Sequence, residues 1–143
     1  MTISVRIIFL LAALLVSVPV FAMNMSHDGK EIRTVTVDGA TITYKLIDMR
    51  ESMKKIGEGH GAQTMATHHL MIYAKGPDGP VKGKAGYAVT GPDAKTEKVM
   101  CMAMNDGFGA DIHMASQGAY TIKVKVAGQG KTLMDEFTYT LEH

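Results

Sequence analysis

The chain holds 143 residues, 46% of them hydrophobic, which suits one domain with a real core and is too short for two ordinary domains and too apolar for a disordered tail. Lys and Arg number 15 against 14 Asp and Glu, a near balance that excludes a partner held by bulk charge, such as nucleic acid or an acidic membrane surface. Trp is absent and aromatics make up 6%, whereas Met accounts for 12 residues, so thioether sulfur is the unusual component.

Arg6 precedes the apolar run Ile7 to Val16, and Val20 and Ala22 occupy the two small-residue positions of a signal-peptidase site. The run falls short of the ~20 residues that a spanning helix needs, and Pro19 breaks its end. Residues 1–22 are therefore expected to be a cleaved signal peptide, and the product an exported, soluble periplasmic protein starting at Met23. Loss of Arg6 with the leader leaves that product close to neutral. Residues 23–30 read as a flexible N-terminus and 31–143 as a single β domain.

Ile32 to Val37 and Thr41 to Asp48 read as two strands joined at Asp38-Gly39, the strongest short-range hairpin signal. Asp48-Met49-Arg50-Glu51 has the form of a capping box, and Met53 to Ile56 would extend it by a turn or two of helix. Met49 to Thr67 as a whole is expected to form a long Met- and His-containing flap. His68 to Lys75 and Lys84 to Thr90 read as strands stopped by Gly-Pro-Asp turns. Glu97 to Met104 and Asp111 to Ala115 follow as strands around a Gly-rich loop, Asn105 to Ala110. In Tyr120 to Val126 and Glu136 to Leu141, apolar and polar residues alternate strictly, giving each strand one dry and one wet face. About eight short strands without a helical period predict an all-β fold, specifically an immunoglobulin-like β-sandwich.

Met and His gather in three places. Met23, Met25 and His27 open the mature chain; Met49, Met53, His60, Met65, His68, His69 and Met71 lie in the flap and the strand after it; Met100, Cys101, Met102 and Met104 face His113 and Met114 across the Gly-rich loop. Thioether and imidazole together suit Cu(I) and suit Mg or Ca badly. Zinc is less natural without a Cys-x-x-Cys or His-x-x-x-His spacing. An oxidising compartment also favours Met over Cys, since a thioether cannot be lost to a disulfide. The competing reading of Met100, Met102 and Met104 is core packing, because Met fills irregular gaps, and that is the expectation here. His68 and His69 are adjacent in a strand and must point to opposite faces, so one of them is available as a ligand. Cys101, the single cysteine, cannot form an internal disulfide and reads as a small buried hydrophobe.

Hydrolase elbows, phosphate-binding loops and zinc-protease helices are all absent from the sequence, so no enzymatic activity is expected. The leader, the sandwich and the clusters at Met49/Met53 and Met100 to Met104 resemble the small periplasmic copper-handling sandwiches, the copper-resistance carrier family and the YtkA-like domains. That resemblance implies a Cu(I) site made with Met. The expectation is a periplasmic metal-binding protein, a carrier or buffer of Cu(I), with His68, His69, Met71, Met49, Met53 and Met65 as the ligand pool and copper as the bound metal. The expected partners are the metal ion and a periplasmic or membrane protein. The alternative is a metal-free interaction module that docks on a membrane or secreted partner, with Met as adaptable contact surface.

Overall fold

The computed structural model describes residues 29–51 and 66–143. The leader, the rest of the N-terminus, and Met53, His60 and Met65 of the flap lie outside the described residues. Within them the chain runs β1 (Lys30–Val37), β2 (Ala40–Asp48), β3 (His68–Gly76), β4 (Gly79–Pro80), β5 (Lys84–Thr90), β6 (Thr96–Met100), β7 (Met102–Met104), β8 (Gly107–Ile112), β9 (Gly118–Gly128) and β10 (Lys131–Leu141). One antiparallel sheet has the order β1-β2-β3-β8-β7, with β4 paired to β3; the other has the order β10-β9-β5-β6. This is the all-β, immunoglobulin-like sandwich that the alternation of apolar residues predicts.

Two-residue turns account for the tightest hairpins. Asp38 and Gly39 sit at φ 48° and 79°, and Gln129 and Gly130 at φ 55° and 74°. Positive φ at both central positions matches the right-handed twist of the flanking strands. The second of these turns lies beyond the ends assigned from sequence, because Gly128 interrupts the alternation there while the ladder continues.

The core lies between the sheets. Ile42, Tyr44, Leu46, Leu70, Ile72 and Ile112 from one sheet meet Tyr87, Val89, Ile122, Val124, Val126 and Phe137 from the other, all of them buried. At one side of the sandwich the edge strands β1 and β10 are clamped. Arg33 donates from Nε and Nη2 to the two carboxylate oxygens of Asp135, both at 2.9 Å, and its guanidinium lies 5.3 Å from the Phe137 ring centre. Phe137 in turn packs 4.8 Å from Tyr44. The hydrogen bonds from Arg33 hold the Asp135 carboxyl below the usual carboxylate range.

Two secondary-structure assignments need correction. Glu97 to Met104 is not one strand: the chain leaves the second sheet after Met100 and joins the first at Met102, with the Cys101 amide donating to the Ala85 carbonyl at 2.9 Å. Cys101, expected as a small buried hydrophobe, is half-buried against the core, and burial pushes its thiol up to about 11. Because the strand divides there, Met100, Met102 and Met104 do not fill the core; they are 70%, 70% and 37% exposed. The Gly-rich loop is the other correction. The turn is Asn105-Asp106 alone, with Asn105 at φ 50°, and Gly107 to Ala110 belong to β8.

The alternation in β9 is directly testable. Val124 is buried, while Lys123 is solvent-facing with its amine 3.3 Å from Glu136. Val124→Asp should cost about 3 kcal/mol or more by burying an unpaired charge, and Lys123→Asp about 1 kcal/mol or less. Equal denaturation midpoints for the two variants would contradict the assignment of faces.

Candidate functional site

The period of two in β3 separates its two histidines. His68, Leu70 and Ile72 face the other sheet, and His69, Met71 and Tyr73 face outward. His68 is 1% exposed. Its Nδ1 lies 2.7 Å from the Thr67 hydroxyl, which already accepts the Met114 amide at 2.8 Å. The Thr67 O–H is thus free to donate to Nδ1, which places the ring proton on Nε2, 3.9 Å from an Asp48 carboxylate oxygen. Burial lowers the pKa of His68 from 6.5, against the opposing pull of Asp48 and with smaller pushes from Arg50 and His113. His68 is a hydrogen-bonded neutral side chain of the inner face.

The outward residues of β3 make a different arrangement with β8 and β7. Met71 is the register partner of Gly109, and Gly109 is also the register partner of Met102, so the three strands share one row with an empty centre. A Cβ placed on Gly109 would lie 2.5 Å from His69 Nε2, 2.6 Å from Met71 Sδ and 2.7 Å from Met104 Sδ. Real side chains do not approach so closely, and Gly109 is what lets these three atoms converge. One nitrogen and two sulfur atoms therefore surround a common point, a few tenths of an ångström beyond metal bonds of about 2.0–2.3 Å to such donors.

His69 is poised electronically as well as sterically. Its Nδ1 lies 2.8 Å from Asp111 Oδ1. Donation from Nδ1–H to that carboxylate leaves a lone pair on Nε2. His69 Nε2 is screened from solvent and has no hydrogen-bond partner. Leaving such a group unsatisfied costs about 1–3 kcal/mol. Asp111 is held from the opposite side of the sandwich, where the Tyr87 hydroxyl donates to its main-chain carbonyl. Next to the cluster, Tyr73 leans over Gly107, whose Cβ would lie 2.9 Å from the ring, and Lys45 Nζ sits 5.7 Å from the Tyr73 ring centre.

Of the six residues expected to supply ligands, the structure brings His69 and Met71 together. It sets His68 on the other face. Met49 is half-buried just past β2, its amide donating to the Thr67 carbonyl at 3.0 Å, and Arg50 donates its amide to Asp48 Oδ1 at 3.0 Å, as a capping residue would accept. Met53 and Met65 lie outside the described residues. Met104 is the member that sequence reading assigned elsewhere. The signal for it was Gly107 and Gly109, spaced two apart after Asn-Asp, which in a strand gives one bare face opposite Met102 and Met104.

Among the described residues no three His, Cys, Asp or Glu side chains come together in a group able to hold a metal ion. A cleft of about 690 Å³ lined in part by Asp93, Glu97, His113 and Tyr120 brings no sulfur with it. Fold and geometry thus define a two-sheet β-sandwich with a soft nitrogen and sulfur donor set on its outer face. No protein-family model matches the chain, and no curated protein matches it in sequence. Among solved structures it is similar to a DUF4426 family protein from Pseudomonas aeruginosa, with 11% identity and a TM-score of 0.57 over 78% of this chain and 94% of that one. It is also similar to a copper-bound variant of FetP from uropathogenic Escherichia coli, with 17% identity and a TM-score of 0.52 over 77% of this chain and 89% of that one. At these identities the likeness is one of fold, shared at a distance with a copper-binding protein.

The buried His68 links stability to pH. Its folded pKa lies below 6.5, so its contribution is complete above that value and is lost as the pH falls from 6.5 toward the folded pKa, where the unfolded chain takes up a proton that the folded one refuses. His68→Asn keeps an acceptor for Thr67 and has no proton to gain. Denaturation of wild type and variant across this range should show a shallower pH slope for the variant; parallel slopes would remove His68 as the cause.

Proposed function

We propose that this protein binds Cu(I) as cargo, held by His69 Nε2, Met71 Sδ and Met104 Sδ, and that it carries or buffers the ion in the periplasm. The reading is carried by one observation: a buried imidazole nitrogen with no hydrogen-bond partner, facing two thioether sulfurs across the point vacated by Gly109. Thioether with imidazole favours Cu(I), whereas carboxylate and carbonyl donors favour Mg and Ca, and structural zinc sites lean on thiolate. Asp111 acts as a positioning residue: it fixes the tautomer and orientation of His69. The copper-bound FetP variant, which shares the fold, supports the metal, and the leader-like residues 1–22 support export. No reaction is assigned to this site. A carrier needs only to bind and release, and a metal-free interaction module would have no use for the orphaned nitrogen.

Anaerobic titration of the protein with Cu(I) against a chromogenic chelator tests the reading. The wild type should take up one equivalent tightly. Gly109→Ala puts a methyl group at the point shared by the three donors; the two Met termini can swing aside, but the His69 ring, 2.5 Å from it and tied to Asp111, must also give way, so the variant should fold with a lowered melting temperature and lose affinity by ~10-fold or more. Met71→Leu and Met104→Leu preserve size and apolarity and should also weaken binding, while His68→Asn should not. Wild-type affinity in Gly109→Ala would move the ion away from this cluster. A folded wild type that takes up no Cu(I) would leave the metal-free interaction module standing.

A further inference from the structure

One residue next to the cluster is unexplained by packing. Met102 belongs to β7, the three-residue edge strand of the first sheet, and is 70% exposed. An apolar side chain of this size on an edge strand covers no core and contributes nothing to the sandwich. Its register is nonetheless specific, since its Cα partner is Gly109, the residue beneath the donor cluster. Directly opposed residues in an antiparallel pair have their side-chain origins about 4.5–5.5 Å apart, and diagonal ones about 7–8 Å. Met104, whose partner is Gly107, stands diagonally to Gly109 and still brings its sulfur to 2.7 Å from the shared point. Met102 starts closer than Met104 and on the same face of the same strand, so a change of side-chain rotamer suffices to bring its sulfur there.

We infer that Met102 is the exchange ligand of this site, a thioether that swings between solvent and the ion and through which Cu(I) enters and leaves. This rests on the copper reading above and adds to it the route of transfer. His69 and Met71 stand on a strand paired on both sides, and they hold the ion from within the sheet. Met102 stands where an incoming protein or chelator arrives. The step is a ligand substitution: Met102 Sδ bonds to Cu(I) as the Cu–S bond of Met104 breaks, a sulfur or nitrogen donor of the acceptor bonds as the Cu–S bond of Met71 and the Cu–N bond of His69 break in turn, and the Cu–S bond of Met102 breaks last as a second donor of the acceptor takes its place. Copper remains Cu(I) throughout, and no proton or electron is transferred. The partner is thereby defined chemically as one presenting soft donors, thioether or thiolate, to the open edge of β7.

The experiment separates rate from affinity. Cu(I)-loaded wild type and Met102→Leu are mixed anaerobically with bathocuproine disulfonate in a stopped-flow instrument, and the dissociation constant of each is measured by equilibrium competition. Leu keeps the size and apolarity of the side chain and removes the sulfur, and an exposed edge position tolerates it. We expect transfer to and from the chelator to slow by about tenfold in the variant while the equilibrium constant changes by less than about threefold. Unchanged transfer rates would make Met102 a bystander and overturn the inference. A weakening of equilibrium binding as large as that caused by Met71→Leu would make it a resident ligand and overturn it equally. Failure of the wild type to bind Cu(I) at all would remove the underlying reading, an outcome the titration distinguishes before any rate is measured.

Discussion

The outer face of β3 has to be covered without a third layer. β3 is flanked by β2 and β8, and its inner side chains meet the opposite sheet, but among the described residues no further sheet or helix lies over its outer ones. Met71 is nevertheless 7% exposed, and His69 Nε2 is sealed from solvent. The cover comes sideways. With Gly107 and Gly109 bare, the outer side chains of β3 and Met104 of β7 lean into the trough over β8 and meet one another there. Glycine weakens a strand, and two of them on one face persist only where something must come close to the backbone. Here that something is a set of three donor atoms, and the trough is the feature on which the proposed site depends.

The rest of the sandwich fixes the trough in place. Between the two glycines, Phe108 points inward, and Ile112 anchors the end of the same strand in the core. The Tyr87 hydroxyl reaches across from the second sheet to the Asp111 carbonyl, so the residue that orients His69 is tied to the opposite layer. Arg33 and Asp135 clamp the sheet edges that lie away from β7. Rigidity is therefore concentrated on β3 and β8, and β7 is paired through three residues on one side only. The donor cluster therefore joins a strand paired on both sides to one paired on one side only.

Much of this was legible in the sequence and some was not, for identifiable reasons. Alternation in β9 and β10 and the Asp38-Gly39 turn report the two-sheet class, because period-two burial and a positive-φ turn are local properties. The opposite facing of His68 and His69 follows from the same period. The convergence of His69, Met71 and Met104 does not, since it depends on β8 lying between β3 and β7, a pairing that no local pattern encodes. Gly107-Phe108-Gly109 misleads because glycine is the usual mark of a loop, and its meaning inside a strand appears only once the neighbouring strands are known. The Met run from 100 to 104 misleads for a related reason. Periodicity gives Met100, Met102 and Met104 one face, and the crossing at Cys101 then assigns Met100 and Met102 to different sheets.

A site assembled from β3 and β7 behaves differently from one held in a flap. The donors stand far apart in sequence, so the unfolded chain offers them no common geometry, and an ion that binds only the paired sheet stabilises it by RT ln(1 + [L]/Kd). That stabilisation would fall on the β3, β8 and β7 ladder, which includes the three-residue edge strand β7. An ion bound as proposed would also satisfy the partnerless Nε2. The donor cluster is already organised: His69 is oriented by Asp111, Met71 is packed, and the Met104 sulfur lies beside them. Ordering a long loop would subtract from affinity through conformational entropy, and a pre-formed sheet site avoids most of that subtraction. In the proposed carrier, release would then come from the exposed thioether edge, so that firm binding and rapid exchange would fall to different residues of one cluster.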